Sequence, residues 1–435
     1  MPLPFKEHPL RHQGIAELHA RTYEPLHAPE RVSHLASLCG EKGSGRNVRH
    51  LRRLLEHYGL PQPEMIDQYY SARLGDIRLR WERHTEFVTY TFSKQGAFVH
   101  PFAYPVLNEL PRDWLAEMPG EVVAAVSLAL ESRDMPERSS EELSELFAGN
   151  VIIGSEVVNG AALAWSDLRI HSDGCSRILL RDRGLSDNQA GRSAKRFLEI
   201  NSYRAMALLG LPVAREANGC LSNADRRLVE VAARMADEDA FGSGVPDAEL
   251  LAELTTLAAE IETLAARTSS RFDASRAYYK VIQQRLEELR QRRIEGLQTF
   301  SEFLDARLAP AIATCESTAR RQQNLAERAA RLTSLLRARV EVGLQKQNQN
   351  LLESMNRRAQ LQLRLQETVE GLSVIAIGYY GVGLVGYLLK GLEAHGLPLD
   401  ATYTTGLAAP VIVGAAWLGI RRMKARLHKQ GYFND

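Results

Sequence analysis

Apolar and polar positions follow three different rhythms along this chain. In the first, residues alternate. Gly75 to Trp81 (GDIRLRW) and Glu86 to Phe92 (EFVTYTF) keep a period of two and predict an antiparallel pair. Glu121 to Leu130 and Asn150 to Val158 are further strands. Asn159-Gly160 is a hairpin turn leading into Ala161 to Ile170, and Asp173-Gly174 is another leading into Cys175 to Leu180. Helical spacing follows at about Asn188 to Leu209 and Asn223 to Asp239. Adjacent hairpins predict an α+β head over residues 1–245, with a mixed, largely antiparallel sheet and helices against it. A doubly wound nucleotide fold is disfavoured.

The second rhythm fills residues 246–371, where Leu, Glu, Arg, Gln and Ala dominate and Pro310 is the one proline after Pro246. That composition predicts a long helical, coiled stalk. Asp247 to Ala266 reads as one helix, with Leu250, Leu254, Leu257, Ile261 and Leu264 at spacings of three and four. Thr268 to Asp273 (TSSRFD) reads as a break. A second helix is expected from Ala274 to Leu308, and Pro310 should kink or restart the chain. From Ala311 a third helix runs on without interruption. Its stripe of Leu325, Leu332, Leu336, Val340, Leu344, Leu351 and Met355 favours an 11-type period over strict heptads. Sixty helical residues span about 90 Å, too long a rod for one globular core. The stripe is therefore expected to face the preceding helices or copies of itself. Gln345 to Asn350 (QKQNQN) interrupts the stripe, either as a register-fixing polar layer or as a wet helix.

The third rhythm is unbroken apolarity. Leu372 to Leu389 and Tyr403 to Ile420 each run eighteen residues without a charge, against about 20 needed to cross hydrocarbon. The competing reading is a buried helical hairpin in a soluble core. Tyr387, Tyr403 and Trp417 near the ends favour a transmembrane hairpin over residues 372–420. So do the flanks: Arg357, Arg358 and Arg364 precede it and Arg421, Arg422 and Lys424 follow it, while the connecting loop has one Lys and the acids Glu393 and Asp400. The positive-inside rule then puts both termini and the head in the cytoplasm of a bacterial inner-membrane protein, with residues 421–435 as a basic tail. Gly378, Gly381, Gly383 and Gly386 in the first span, and Gly406 and Gly414 in the second, are candidates for close helix packing or for lining a pore.

Composition adjusts this picture only locally. The 435 residues carry a net charge of +1, which argues against a nucleic-acid binder. From Arg320 to Arg364, however, ten Arg or Lys face three Glu, a local +7. A solvated face explains that, and so does attraction to anionic lipid, at about 1 kcal/mol per basic residue near the surface. The opening Met-Pro-Leu-Pro-Phe-Lys predicts no signal peptide. Cys39, Cys175, Cys220 and Cys315 lie far apart, so neither a disulfide scaffold nor a zinc finger is expected. No GxSxG, HExxH, Walker A or spaced GxGxxG occurs. Gly40 to Gly45 (GEKGSG) lacks the Gly-Lys-Ser order and reads as a flexible loop. Nine of twelve histidines fall in the first hundred residues, without the carboxylate spacing of metallohydrolases. Trp81 to Glu86 (WERHTE) concentrates charge, as an ion-paired hairpin end or a recognition patch.

Several stretches together carry a family resemblance: His8-Pro9-Leu10-Arg11 with Leu18-His19-Ala20-Arg21, Leu79 to Phe87 (LRWERHTEF), Gly191-Arg192 with Leu198-Glu199-Ile200 and Tyr203-Arg204, and Thr368 to Ser373 (TVEGLS). The chain resembles, over nearly its whole length, an uncharacterised bacterial family of membrane-anchored proteins, domain-of-unknown-function family 3422. The layout is also similar to the CorA-type magnesium channels, which are homopentamers, although their Gly-Met-Asn motif is absent here. That likeness implies a divalent cation such as magnesium as cargo, with Glu393 and Asp400 as outside metal-attracting rings and Gly381 and Gly383 presenting carbonyls. The layout equally suits membrane scaffolds with long C-terminal coiled helices. Two functional expectations follow. One is a membrane-anchored homo-oligomer whose cytosolic head binds or positions a protein partner, without catalysis or cofactor. The other is a CorA-like cation channel, for which a pentamer would be expected.

Overall fold

The computed structural model describes residues 7–8, 10–12, 15, 23–40, 44–63, 66, 68–236, 247–394 and 400–430, without the side chains of 44, 370, 393–394 and 423–430. They form two units, Met1–Thr333 and Ser334–Asp435.

The first unit is built on a nine-stranded sheet in the order β2-β3-β4-β1-β5-β8-β7-β6-β9. The strands are β1 (Glu30–Leu38), β2 (Tyr69–Leu74), β3 (Ile77–Arg83), β4 (Phe87–Gln95), β5 (Glu121–Glu131), β6 (Ile153–Val157), β7 (Ala162–Ile170), β8 (Ser176–Asp182) and β9 (Arg292–Arg293). The expected pair is β3 and β4, joined antiparallel with Trp81 opposite Tyr90. Asn159 and Gly160 have positive φ at the β6–β7 turn and Gly174 at the β7–β8 turn, as those dipeptides require. Among the described residues the one parallel pairing is β5 with β8, so the fold is α+β and largely antiparallel.

Among the described residues eight α-helices accompany the strands: α1 (Ser44–His57), α2 (Arg112–Ala116), α3 (Ser140–Leu146), α4 (Asp187–Leu208), α5 (Gly210–Ala236), α6 (Asp247–Glu288), α7 (Phe300–Ala394) and α8 (Ala401–Gln430). Ser186 starts α4 with a reciprocal capping box to Gln189, and Thr299 starts α7 in the same way with Glu302. Each face of the sheet is covered. On one face Leu79, Trp81, Val88 and Tyr90 pack with Leu51, Leu54 and Leu55 of α1 and with Trp114 of α2. On the other, Val126, Leu128, Leu130, Ile178 and Leu180 meet Ala194, Phe197 and Leu198 of α4, Ile282 and Leu286 of α6, and Phe300 and Leu304 of α7. A fully buried side chain of this size contributes about 1.5–3 kcal/mol.

Three helical expectations are corrected. The TSSRFD stretch is no break, because α6 runs through it. Thr268 and Phe272 are buried; Thr268 accepts a hydrogen bond from Gln322 Nε2 of α7 at 2.9 Å, which gives these residues helical work. The helix expected over 274–308 is instead divided at Leu289–Thr299, where Arg290 and Gly296 take positive φ and β9 pairs with β6. Pro310 does not restart the chain, because α7 continues through it. The division into units falls after Thr333, so α6 and the first part of α7 belong with the sheet.

In the second unit the C-terminal part of α7 and α8 form an antiparallel hairpin. A Cβ on Gly378 would lie 3.1 Å from Val413 Cγ2, on Gly381 2.8 Å from Ile412 Cγ2, and on Gly386 3.4 Å from Thr405 Cγ2. These three glycines face α8, and nothing lies within 4 Å of a Cβ on Gly383, Gly406 or Gly414.

A closer approach occurs at Gly191 in α4, where a Cβ would sit 1.9 Å from the Glu24 carbonyl oxygen. Gly191→Ala must push the 23–26 segment off the helix and is expected to cost about 1–3 kcal/mol in urea unfolding. Gly219→Ala in α5, where a Cβ meets nothing, should instead stabilise by about 0.5–1 kcal/mol.

Candidate functional site

The face of β1, β3 and β4 that looks away from α1 carries polar residues in rows set by strand register. Arg78 lies opposite Ser93, Arg80 opposite Thr91, and Glu82 opposite Thr89. His34 of β1 continues the middle row beside Thr91. Helix α4 lies over this face, and between them is a cavity of about 60 Å³. Gly191, Ala194, Lys195, Leu198, Glu199, Ser202 and Tyr203 form its helical wall, and Tyr23, Glu24 and Leu26 close one end.

Charge crosses the cleft as a continuous chain. Glu24 Oε1 is 3.8 Å from Arg80 Nη1, Arg80 Nη2 is 2.9 Å from Glu82 Oε1, and Lys195 Nζ is 3.1 Å from the same oxygen. Lys195 lies 3.8 Å from Glu199, whose other oxygen meets Arg285 Nε of α6 at 2.5 Å. Arg285 and Arg196 then share Glu288 at 2.9 and 3.0 Å. Burial alone would raise the pKa of Glu82, but Lys195 and Arg80 overcome it and hold the carboxyl at about 2. Arg78 is tied separately, to the buried Glu30 carboxylate and to the Pro25 carbonyl oxygen.

His34 is enclosed. Its Nε2 is 2.9 Å from Ser202 Oγ and its Nδ1 2.8 Å from Thr91 Oγ1. Ser202 donates its own hydroxyl hydrogen to the Leu198 carbonyl at 3.0 Å, so Nε2 carries the ring proton and Nδ1 accepts from Thr91. Burial depresses the imidazole to about 4, with the Glu82 carboxylate opposing. A neutral ring in that tautomer positions rather than transfers protons near neutral pH.

Beside the cleft an aromatic group closes the β3–β4 turn. His84 stacks on Phe87 with ring centroids 4.2 Å apart, and Tyr203 stacks on Tyr278 at 5.5 Å. Tyr278 donates its hydroxyl to Glu86 Oε1 at 2.8 Å, and Glu86 also pairs with Arg271. The charged WERHTE stretch is thus an ion-paired hairpin end at Glu86 and part of the cleft at Glu82 and His84.

The stretches that carry the family resemblance, Leu79 to Phe87 on the sheet and Gly191 to Arg204 on α4, meet across this one cleft. A family model described as a protein of unknown function (DUF3422) matches residues 6–427. The chain belongs to that family. No curated protein matches it.

In this DUF3422 chain the residues expected from sequence to carry function lie in the second unit. Asp400 caps α8, its Oδ1 accepting from the backbone N–H of Thr402 at 3.0 Å and Tyr403 at 3.1 Å. Glu393 is in the last turn of α7, with its side chain outside the described residues. Arg357, Arg358, Arg364, Arg421 and Arg422 are exposed, and the Arg421 guanidinium lies 4.9 Å from the Trp417 ring centroid. The Lys424 side chain is outside the described residues. Among the described residues no three of His, Cys, Asp or Glu come together as a metal cage. Of the clustered histidines, His34 enters the cleft and His50 stacks on Trp114 at 4.3 Å. The Gly40–Gly45 loop has residues 41–43 outside the described set.

Sequence reasoning missed the cleft because its charges come from β3 and from α4 more than a hundred residues later. The available signal was the alternation of Arg78, Arg80 and Glu82 on one face of β3.

Both depressed groups fix the acid response. His34 is lowered from 6.5 to about 4 and Glu82 from 4.5 to about 2, so the unfolded chain takes up protons first. Stability is complete above pH 6.5, falls toward pH 4 as histidine protonation favours unfolding, and falls again from pH 4.5 to 2 through Glu82. His50, also buried and lowered to about 4, acts over the upper window. His34→Gln is therefore expected to remove about half of the loss between pH 6.5 and 4 in chemical denaturation and to leave the lower window unchanged.

Proposed function

We propose that this DUF3422 chain is a membrane-anchored homo-oligomer whose hairpin of α7 and α8 enters a bacterial inner membrane and tethers the α+β unit on the cytoplasmic side. The observation that carries the reading is apolar surface with nothing over it. Two helical stretches are long and apolar enough to cross a membrane, and 6% and 0% of them is buried within the chain. A core helix of a soluble protein would be mostly covered. Leu372, Ile375, Tyr380, Leu384, Leu388, Leu407 and Val411 are each more than half exposed; in water this surface would cost about 25 cal/mol per Å². Lipid removes that cost. The Arg421–Trp417 contact suits an interface, with the ring at headgroup level and the cation toward the phosphates.

Self-association is the second part of the reading. Leu335, Val342, Leu344, Leu351, Leu352 and Met355 on α7 are exposed and lie outside the two apolar stretches, so lipid does not cover them. Copies of the same helix would. The head is then a binding unit rather than an enzyme, and its cleft is where a ligand would enter.

Alkaline carbonate extraction tests the anchor. The full chain is expected to stay with the membrane and a chain ending before Leu372 to be released; release of both would overturn the anchor. Mass photometry of the detergent-solubilised full chain tests association, where a single discrete oligomer is expected and a monomer would overturn it. A pentamer would in addition justify measuring divalent-cation flux with Glu393 and Asp400 replaced.

A further inference from the structure

The cavity beneath α4 is larger than a packing defect. Protein interiors leave few voids bigger than one water, and a water needs roughly 10–15 Å³ of such space. At about 60 Å³, this one has room for about four waters, or for a ligand of about four to six heavy atoms.

Its walls are poorly suited to a water cluster. A buried water needs two to four polar partners, and the charged groups here are engaged with each other. Glu82 is held by Arg80 and Lys195, Glu199 by Arg285, Arg78 by Glu30. His34 spends both ring nitrogens on Thr91 and Ser202. Thr89, 3% exposed, lines the cavity, and its buried hydroxyl has no hydrogen-bond partner. Such a group costs about 1–3 kcal/mol when left unmet. Leu26, Val32, Phe87, Ala194 and Leu198 supply the remaining apolar wall.

The signs of charge also constrain the occupant. Arg78, Arg80 and Lys195 on the wall balance Glu24, Glu82 and Glu199. A charged guest would lose its hydration without meeting an uncompensated opposite charge, which disfavours it strongly.

We propose that the cleft between β1, β3, β4 and α4 binds a small uncharged molecule with an apolar body and one hydrogen-bonding group, which meets the Thr89 hydroxyl. This assignment does not depend on the hairpin entering a membrane.

The test is ligand-observed saturation-transfer NMR on the full chain in lipid nanodiscs, with butyramide as the neutral probe and butyrate and n-butylammonium as charged isosteres. Saturable butyramide binding is expected, at least ten-fold tighter than either charged probe. Ala194→Leu fills the cavity and should abolish the signal without lowering the Tm. Thr89→Val keeps the shape but removes the hydroxyl, and should weaken butyramide about five-fold. Butyrate or butylammonium binding as tightly as butyramide would overturn the proposal. So would an undiminished butyramide signal in Ala194→Leu, which would mean partition into lipid, or no saturable signal with the folded native chain. Should Ala194→Leu fail to fold, the Thr89→Val comparison and the order of the three probes decide.

Discussion

A carboxylate largely enclosed between a sheet and a helix must have its charge met, and in this chain that requirement organises the larger unit. Glu82 projects from β3 into the space under α4, and Lys195 and Arg80 reach the same oxygen. An enclosed carboxylate left without its cations is destabilised, so the register of β3 and the rotation of α4 are specified together. Glu199, one turn beyond Lys195, passes the constraint to Arg285 on α6. Three elements distant in sequence are thereby held in one arrangement, and the cavity is the space their fixed positions leave.

Much of the scaffold was legible before any coordinates. β3 alternates in the sequence because one of its faces packs under α1 while the other carries the charged row of the cleft, and Asn159-Gly160 and Asp173-Gly174 marked the turns of the later strands. β1 was not legible: Glu30, Ser33, His34 and Ser37 are buried polar residues, so ERVSHLASL shows no clean alternation although it lies at the centre of the sheet. α1 was hidden by its charge, with Leu51, Leu54 and Leu55 scattered among four arginines and five other polar residues. The cleft itself was half legible. WERHTE was recognisable as unusual, but nothing local says that Lys195 stands across from Glu82.

The helices misled for a related reason. Thr268 and Phe272 look like a cap and a break when read alone, yet both are buried inside a continuous helix. Thr268 accepts from Gln322, and Asn218 of α5 donates to Thr318 of α7 at 2.9 Å. Polar residues inside a helical bundle satisfy each other across helices, and their sequence then imitates a turn. The Thr299–Glu302 capping box starts α7, a signal that the helix expected over 274–308 ran across, and the division near residue 289 is where that reading fails.

The sheet finishes at one end on β9, a strand of two residues, both arginine and both exposed. An unpaired edge is ordinarily an invitation for another chain to add a strand. Here β9 offers so little backbone, and so much like charge, that a second copy placed against it would gain almost no ladder and would set arginine against arginine. The other edge, β2, is six residues long and carries Arg73. Fibril-like growth through the sheet is thus discouraged at both ends by shortness and charge.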